Sequence, residues 1–223
     1  MSGQVGTIGI VDYGLGNRRS VEKAVERVGA RPLLSADHDA LAATDGLVLP
    51  GVGAFPAGMR LLAAGGFDAL LRERAAAGTP IFGCCLGMQL LFDRSEEHGG
   101  AAGLGLIPGV VRALRAPGLK LPHIGWSEVR WRAPSALLEG LPDPSVFYHV
   151  HSYVPHPSDA ADAIGVSRYG EEFASVVARG SVYGAQFHPE KSSVHGLRML
   201  RNFAALCTGP ARAESGTGAR SAA

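Results

Sequence analysis

The sequence is poor in cysteine and in excess charge of either sign, and it has no long apolar run. Of its 223 residues only Cys84, Cys85 and Cys207 are cysteines, and two of these are adjacent. An odd, clustered set does not read as a disulfide framework, so a reducing cytoplasm is the expected setting. Adjacent thiols also lack chelating spacing, and neither Cys-x-x-Cys nor His-Glu-x-x-His occurs, so no metal is expected. Lys and Arg number 21 against 20 Asp and Glu, a formal net charge of +1, which gives no field to draw nucleic acid or an anionic membrane. No apolar run approaches the roughly 18 residues of a membrane span. The first residues show no basic stretch followed by a long apolar one, so no signal peptide is expected. Gly14-Leu15-Gly16 lacks the third glycine of a dinucleotide fingerprint, and no cofactor is expected.

Hydrophobic residues make up 46% of the chain, enough for one sizeable core. The first half alternates strand and helix signals. Strands are expected at residues 7–11, 32–34, 46–49 and 80–82. Between them, Val21, Ala24, Val25 and Val28 recur at helical spacing, Gly29 stops that helix, and helical stretches follow at 58–63 and 67–77. This alternation implies parallel strands with crossover helices, hence an α/β sandwich with a central, mostly parallel sheet flanked by helices. From about 104 to 187 the pattern changes. Strand signals at 110–114, 127–131, 146–150, 173–178 and 182–187 are separated by turn residues, so antiparallel hairpins are expected there. A helix over 194–206 closes a single domain spanning 1–208, and 209–223 has the small, polar, aperiodic composition of a disordered tail.

The chemistry concentrates at three places. The first is residues 80–89, PIFGCCLGMQ. A short apolar strand meets a helix through Gly-x-Cys-x-Gly, the thiol form of a nucleophile elbow. In so sharp a turn the residues two before and two after the nucleophile crowd one another, and glycine relieves this. Cys85 is flanked at those positions by Gly83 and Gly87, whereas Cys84 is flanked by Phe82 and Leu86. Cys85 is therefore the candidate nucleophile and Cys84 a buried neighbour. A helix N-terminus also favours the thiolate. The alternative for this segment alone is that both cysteines are core fillers.

A cysteine nucleophile needs a base. Residues 186–192 read QFHPEKS, at the end of an expected strand. In extended chain Glu190 falls on the same side as His188 and could fix its tautomer, which is triad logic in the order Cys, His, Glu. By itself His188 reads as a solvated turn. The third place is residues 49–55, LPGVGAF, after a buried strand. Its glycines allow close backbone approach, so the Val52 N–H is the candidate partner for the Leu86 N–H in an oxyanion hole. By itself it is an ordinary Gly/Pro loop.

Together these segments resemble the class I (triad) glutamine amidotransferases. The residues that carry the resemblance are 12–17 (DYGLGN), 49–56 (LPGVGAFP), 83–92 (GCCLGMQLLF), 95–97 (SEE), 123–126 (HIGW), 149–153 (HVHSY) and 186–192 (QFHPEKS). They span about residues 7–206. The resemblance implies a flavodoxin-like sandwich. It assigns Cys85, His188 and Glu190 to the triad, and Val52 and Leu86 to the oxyanion donors. Gly53, Gln89, Glu97, Ser152 and Tyr153 match the positions that hold substrate glutamine, with Glu97 placed to neutralise the α-amine. LPGVGAFP, HIGW and HVHSY narrow the likeness to the branch that supplies ammonia for imidazole-ring formation in histidine biosynthesis. Its acceptor is a separate (β/α)₈-barrel cyclase. Asn17, Trp126 and Lys191 are candidates for that contact surface.

The residues that depart from the family pattern are Cys84, where a branched aliphatic residue is usual, and Arg18, where an apolar residue is common. Two alternatives stay open at this point: a glutaminase subunit of another synthase, such as anthranilate synthase, or a cysteine hydrolase of related fold. Glycines on both sides of Val52 make its peptide easy to flip, so glutaminase activity is expected to be low until the partner binds.

Overall fold

The chain's apolar residues are sorted by strict alternation onto the two faces of one large sheet. On the strand Gly46–Leu49, Leu47 and Leu49 enter one buried cluster and Val48 the other; on Ile81–Cys84, Ile81 enters the first, Phe82 and Cys84 the second. Successive strand side chains point to opposite faces, and helices cover both. The computed structural model describes residues 6–209. The elements are β1 (Thr7–Val11), α1 (Arg18–Arg27), β2 (Arg31–Ser35), α2 (His38–Ala42), β3 (Gly46–Leu49), α3 (Phe55–Ala64), α4 (Phe67–Ala76), β4 (Ile81–Cys84), α5 (Leu86–Leu90), β5 (Phe92–Ser95), β6 (Ala101–Ala102), β7 (Ile107–Ala113), β8 (His123–Trp131), β9 (Ser145–His151), β10 (Tyr153–Pro157), β11 (Ala163–Tyr169), β12 (Glu171–Arg179), β13 (Val182–Ala185) and α6 (Ser193–Thr208).

The large sheet has the order β2-β1-β3-β4-β13-β12-β11-β8-β9. Its pairings are parallel from β2 through β13 and antiparallel from β13 to β9. The expected α/β sandwich is present, and the antiparallel strands of the second half extend the same sheet. A smaller sheet, β10-β7-β5-β6, lies beside it. The crossover architecture brings the C-terminal ends of β3, β4 and β13 together, where ligands bind in open α/β sheets.

Several elements differ from the sequence expectation. The helix expected from residue 86 ends at Leu90, and Phe92–Ser95 forms β5 instead. The chain pairs with β7 and β6 there, and Asp93 accepts the Gly109 N–H at 2.8 Å. Strand β11 was unmarked because Gly165 interrupts it; that glycine sits at a register shift, under the Trp131 ring. Strand β8 begins at His123, four residues before its expected start, because His123–Val129 pairs continuously with β9. The proposed tail, 209–223, lies outside the described residues except for Gly209. None of the three cysteines is in a disulfide. Among the described residues no helix is long and apolar enough to cross a membrane, and no group of three His, Cys, Asp or Glu is arranged to hold a metal ion.

Candidate active site

Cys85 sits at the turn between β4 and α5 with φ 54° and ψ −111°, a conformation rare for a residue with a side chain. Such strain costs on the order of 1–3 kcal/mol and needs surrounding structure to hold it. Two backbone bonds supply this: the Cys85 N–H donates to Ala185 O at 2.8 Å, and Cys85 O accepts from Gln89 N–H at 3.2 Å. The flanking glycines are both required, for different reasons. A Cβ on Gly83 would come within 2.6 Å of the Gly87 carbonyl oxygen and the Met88 nitrogen, which is the crowding expected across the elbow. A Cβ on Gly87 would overlap the carbonyl of Leu49, so that glycine is dictated by the neighbouring strand β3. Cys84 lies among the core residues of the opposite face, its thiol pushed up by burial and by the Glu190 charge. Helix α5 has only five residues. Its macrodipole is therefore slight, and its unpaired first-turn N–H groups are what it offers an anion.

His188 follows β13, held by its own N–H to Tyr148 O at 3.0 Å and by Ser192, whose hydroxyl donates to His188 O at 2.7 Å. Its Nδ1 lies 3.0 Å from Glu190 Oε1, and both side chains are at most 5% exposed. A carboxylate accepts only, so Nδ1 carries the proton and Nε2 remains for Cys85. Burial alone would lower the His188 pKa, but hydrogen bonds to Cys85 and Glu190 and their charges outweigh it and raise the group to about 9. Glu190 Oε2 is buried without a partner.

The loop after β3 packs tightly at its start. Tyr13, 4% exposed, donates its hydroxyl to Pro50 O at 2.8 Å, and its own ionisation is pushed up by burial and by Cys85. A Cβ on Gly51 would lie within 2.9 Å of the Tyr13 oxygen, Leu86 Cβ and the Gly87 nitrogen. Beyond it Val52 is 41% exposed, and Gly53, at φ 109°, has open space around it. Glu97 then fixes the far end: its Oε2 accepts the Phe55 N–H at 2.7 Å, at the first turn of α3, which has no side-chain cap of its own.

These groups line one cavity of about 280 Å³. Val52, Gly53, Cys85, Leu86, Gln89, Glu97, Ser152, Tyr153, His188 and Lys191 all border it. That volume is near the small end of ligand pockets. Of the sequence candidates, Glu190 lies behind His188. Asn17 stands at the start of α1 and gives it no side-chain cap. Trp126 is 55% exposed with its ring 5.8 Å from that of Tyr148. Arg18 is ion-paired with Asp12. Sequence reasoning missed Tyr13, Gln186, Ser192 and the histidines of β8 and β9, although all lie within the quoted motifs. Their roles are contacts between segments, which spacing does not display. His123, His149 and His151 stack together between Tyr169, Phe173 and Phe187. His123 Nδ1 lies 3.3 Å from His151 Nε2, and His149 Nε2 lies 2.9 Å from the Ser175 hydroxyl. Burial lowers all three, His149 to about 3.

The arrangement offers a strained thiol, a base oriented by a carboxylate, backbone donors at a helix start, and a pocket with one carboxylate and one ammonium. That is the equipment of acyl transfer from a small zwitterionic amide. Comparisons with known proteins point the same way. The family "Glutamine amidotransferase class-I" matches residues 10–207. The chain is 48% identical over 199 residues to the imidazole glycerol phosphate synthase subunit HisH of Moorella thermoacetica, covering 89% of this chain and 94% of that one. It is 46% identical to the same subunit of Geobacillus kaustophilus, covering 91% and 98%. Among solved structures, one described as a glutamine amidotransferase superposes with a TM-score of 0.72 at 20% identity, covering 91% of this chain and 99% of that one. PurLQS from Thermotoga maritima superposes at 0.70 and 19%, covering 90% and 98%.

Proposed function

The chain belongs to the class I glutamine amidotransferases, among the HisH subunits of imidazole glycerol phosphate synthase, and from that premise we propose how its site works and what it serves. It is a glutaminase subunit, and the single observation that carries the mechanism is the cavity joining Cys85, His188 and the Leu86 turn. Glutamine enters with its α-amine toward Glu97 and its α-carboxylate toward the Ser152–Tyr153 wall. Gly53 leaves room for the backbone beside it, and Gln89 borders the side-chain amide. The Cys85 thiolate attacks the amide carbon. The oxyanion that forms is met by the N–H groups of Leu86 and Val52. His188 gives its proton to the departing nitrogen, ammonia leaves, and a γ-glutamyl thioester remains. Water, deprotonated by His188, then attacks the thioester and releases glutamate and the thiolate. Glu190 holds the ring in one tautomer and stabilises the imidazolium.

The ammonia is consumed by a (β/α)₈-barrel cyclase, which forms imidazole glycerol phosphate and an aminoimidazole carboxamide ribonucleotide. Exposed Ile124, Trp126 and Val146 share one face of the β8–β9 ribbon with Val150, which borders the cavity. A face of this kind marks a protein contact, and Asn17 and Lys191 flank it as polar contacts. Arg18 is tied back by Asp12, which leaves the apolar face to dominate the contact. Covering this face orders the Val52 peptide, so glutaminase turnover rises when the cyclase docks. The setting proposed is the cytoplasm, where buried thiols such as these stay reduced. The 46–48% relatives favour this branch over an anthranilate synthase subunit or a cysteine hydrolase.

The test pairs the Cys85→Ala chain with the cyclase. Glutamine-driven synthesis disappears while synthesis from added ammonia survives. Retention of glutamine-driven synthesis in Cys85→Ala, with its loss in Cys84→Ala, would overturn the assignment.

A further inference from the structure

We propose that Gln186 is a catalytic residue: its side-chain amide N–H holds the Cys85 sulfur as the thiolate, while its carbonyl orients Gln89 toward the substrate. Gln186 follows β13 and is fully buried. Its backbone N–H donates to Ser175 O at 2.9 Å, which fixes the residue to β12. A buried amide keeps its polar atoms paired, and here the pairing is forced in sequence. The Tyr153 carbonyl can only accept, so the Gln89 atom 3.0 Å from it is Nε2. That same Nε2 lies 3.1 Å from Gln186, so the atom it meets there is the acceptor Oε1. Gln186 Nε2 is left on the other side, 3.9 Å from Cys85 Sγ. Each step follows from a carbonyl that cannot donate, which settles the amide orientation.

Both consequences matter chemically. A further polar neighbour of the sulfur, Val150 O at 3.6 Å, is a carbonyl that favours the S–H form. Gln186 and His188 are the side chains that supply donors to the sulfur among the described residues. Gln89, with its N–H groups engaged by Tyr153 O and Gln186 Oε1, turns its own Oε1 outward as an acceptor at the cavity wall. An acceptor there suits the amide nitrogen or ammonium of glutamine. The titratable groups facing Cys85 are His188 and Glu190 from the segment after β13, Tyr13 from the loop after β1, Cys84 from β4, and His151, Tyr153, Glu97 and Lys191 around the cavity.

The kinetic part of this proposal rests on the glutaminase reading; the contact itself does not. The experiment measures alkylation of Cys85 by iodoacetamide in the full chain as a function of pH, located by mass spectrometry of the Cys85 peptide. Gln186→Met removes both contacts. Gln186→Glu keeps an acceptor for Gln89 but takes the N–H from the sulfur and sets a carboxyl beside it. Both variants are expected to alkylate about tenfold more slowly near neutral pH, with the profile moved up by about one pH unit, the scale of a lost hydrogen bond to an anion. With the cyclase present, Gln186→Glu loses about tenfold in kcat with KM little changed, while Gln186→Met loses in both. A Gln186→Glu chain that alkylates like the wild type would mean that Gln186 only positions Gln89, and would overturn the proposal. Should either variant fail to fold, the wild-type side-chain amide resonance of Gln186 decides. One of its protons titrates with Cys85 and is flat in Cys85→Ala; a flat signal in both proteins overturns the proposal. A wild-type chain that hydrolyses no glutamine with the cyclase, yet keeps the alkylation difference, refutes the proposed function and leaves the Gln186 contact standing.

Discussion

Lowering the pH from 7 to 5 is expected to destabilise this fold before its carboxylates titrate, because His149 is buried neutral. Its ring packs against Phe173 and Phe187, its Nδ1 donates to Phe147 O and its Nε2 accepts from the Ser175 hydroxyl. Burial first, then the neighbouring His123, lowers its pKa from 6.5 to about 3. A group with a lowered folded pKa is protonated more readily in the unfolded chain. The unfolded state therefore gains protons as pH falls below 6.5, and the native state follows only near 3. Between pH 7 and pH 5 this costs the native state about 2 kcal/mol from His149 alone. His151 and His123 are shifted in the same direction and add to the loss. His188, raised to about 9, stays protonated in the native state while the unfolded chain gains that proton over this range, so it acts in the opposite direction and offsets about 1 kcal/mol of the loss. Urea unfolding followed by circular dichroism at pH 7, 6 and 5 measures the loss. His149→Leu lowers stability at neutral pH by leaving Ser175 and Phe147 O without their partner, but its loss between pH 7 and 5 shrinks by about 2 kcal/mol. Equal pH dependence in the two proteins would refute the reasoning. Val150, on the same strand, is the cavity wall beside Cys85, so glutaminase activity falls over the same pH range and returns on neutralisation.

Three other perturbations have defined outcomes. Gly87→Ala puts a Cβ onto the Leu49 carbonyl, so the elbow and the strand leading into the 51–53 loop separate; a melting temperature lowered by several degrees and loss of glutamine turnover are expected, and a fully active, equally stable variant would contradict the packing. Glu190→Gln removes the charge that helps to raise His188. Its pKa then falls as burial asserts itself, kcat drops by about a hundredfold or more, and the pH profile of kcat in the complex shows the shift. Ile124→Asp, on an exposed position of β8, leaves the melting temperature within a degree or two but weakens cyclase association by about tenfold or more, as titration calorimetry reads directly.

The sharp turn at Cys85 was legible in the sequence because part of its signal is steric and local. Gly83 relieves crowding within the turn itself, Gly87 makes room for the Leu49 carbonyl of β3, and the sequence places both around Cys85 alone. Strands β1 to β4 were legible because each is a short strand signal followed by a helical segment; β13, read among the hairpins, pairs parallel with β4 through contacts its own sequence does not display. Strand β5 was not, since nothing local in Phe92–Ser95 opposes a continued helix; Asp93 and its distant partners decide it. The deeper pocket was hidden for the same reason. Tyr13 meets Pro50 across 37 residues, and Gln186 meets Cys85 across 101. Trp126 could not be assigned to core or surface from β8 alone, where burial alternates irregularly. Only its place near the outer edge of the sheet leaves it exposed.

The chemistry proposed for Cys85 requires a covalent γ-glutamyl thioester. The direct measurement is rapid acid quench of the chain with its cyclase during turnover of isotope-labelled glutamine, followed by mass spectrometry of the peptide containing both adjacent cysteines. A labelled γ-glutamyl adduct is expected on Cys85, absent from Cys85→Ala and retained in Cys84→Ala. Glutamine turnover at the wild-type rate with no label on that peptide, or label carried by Cys84, would contradict it.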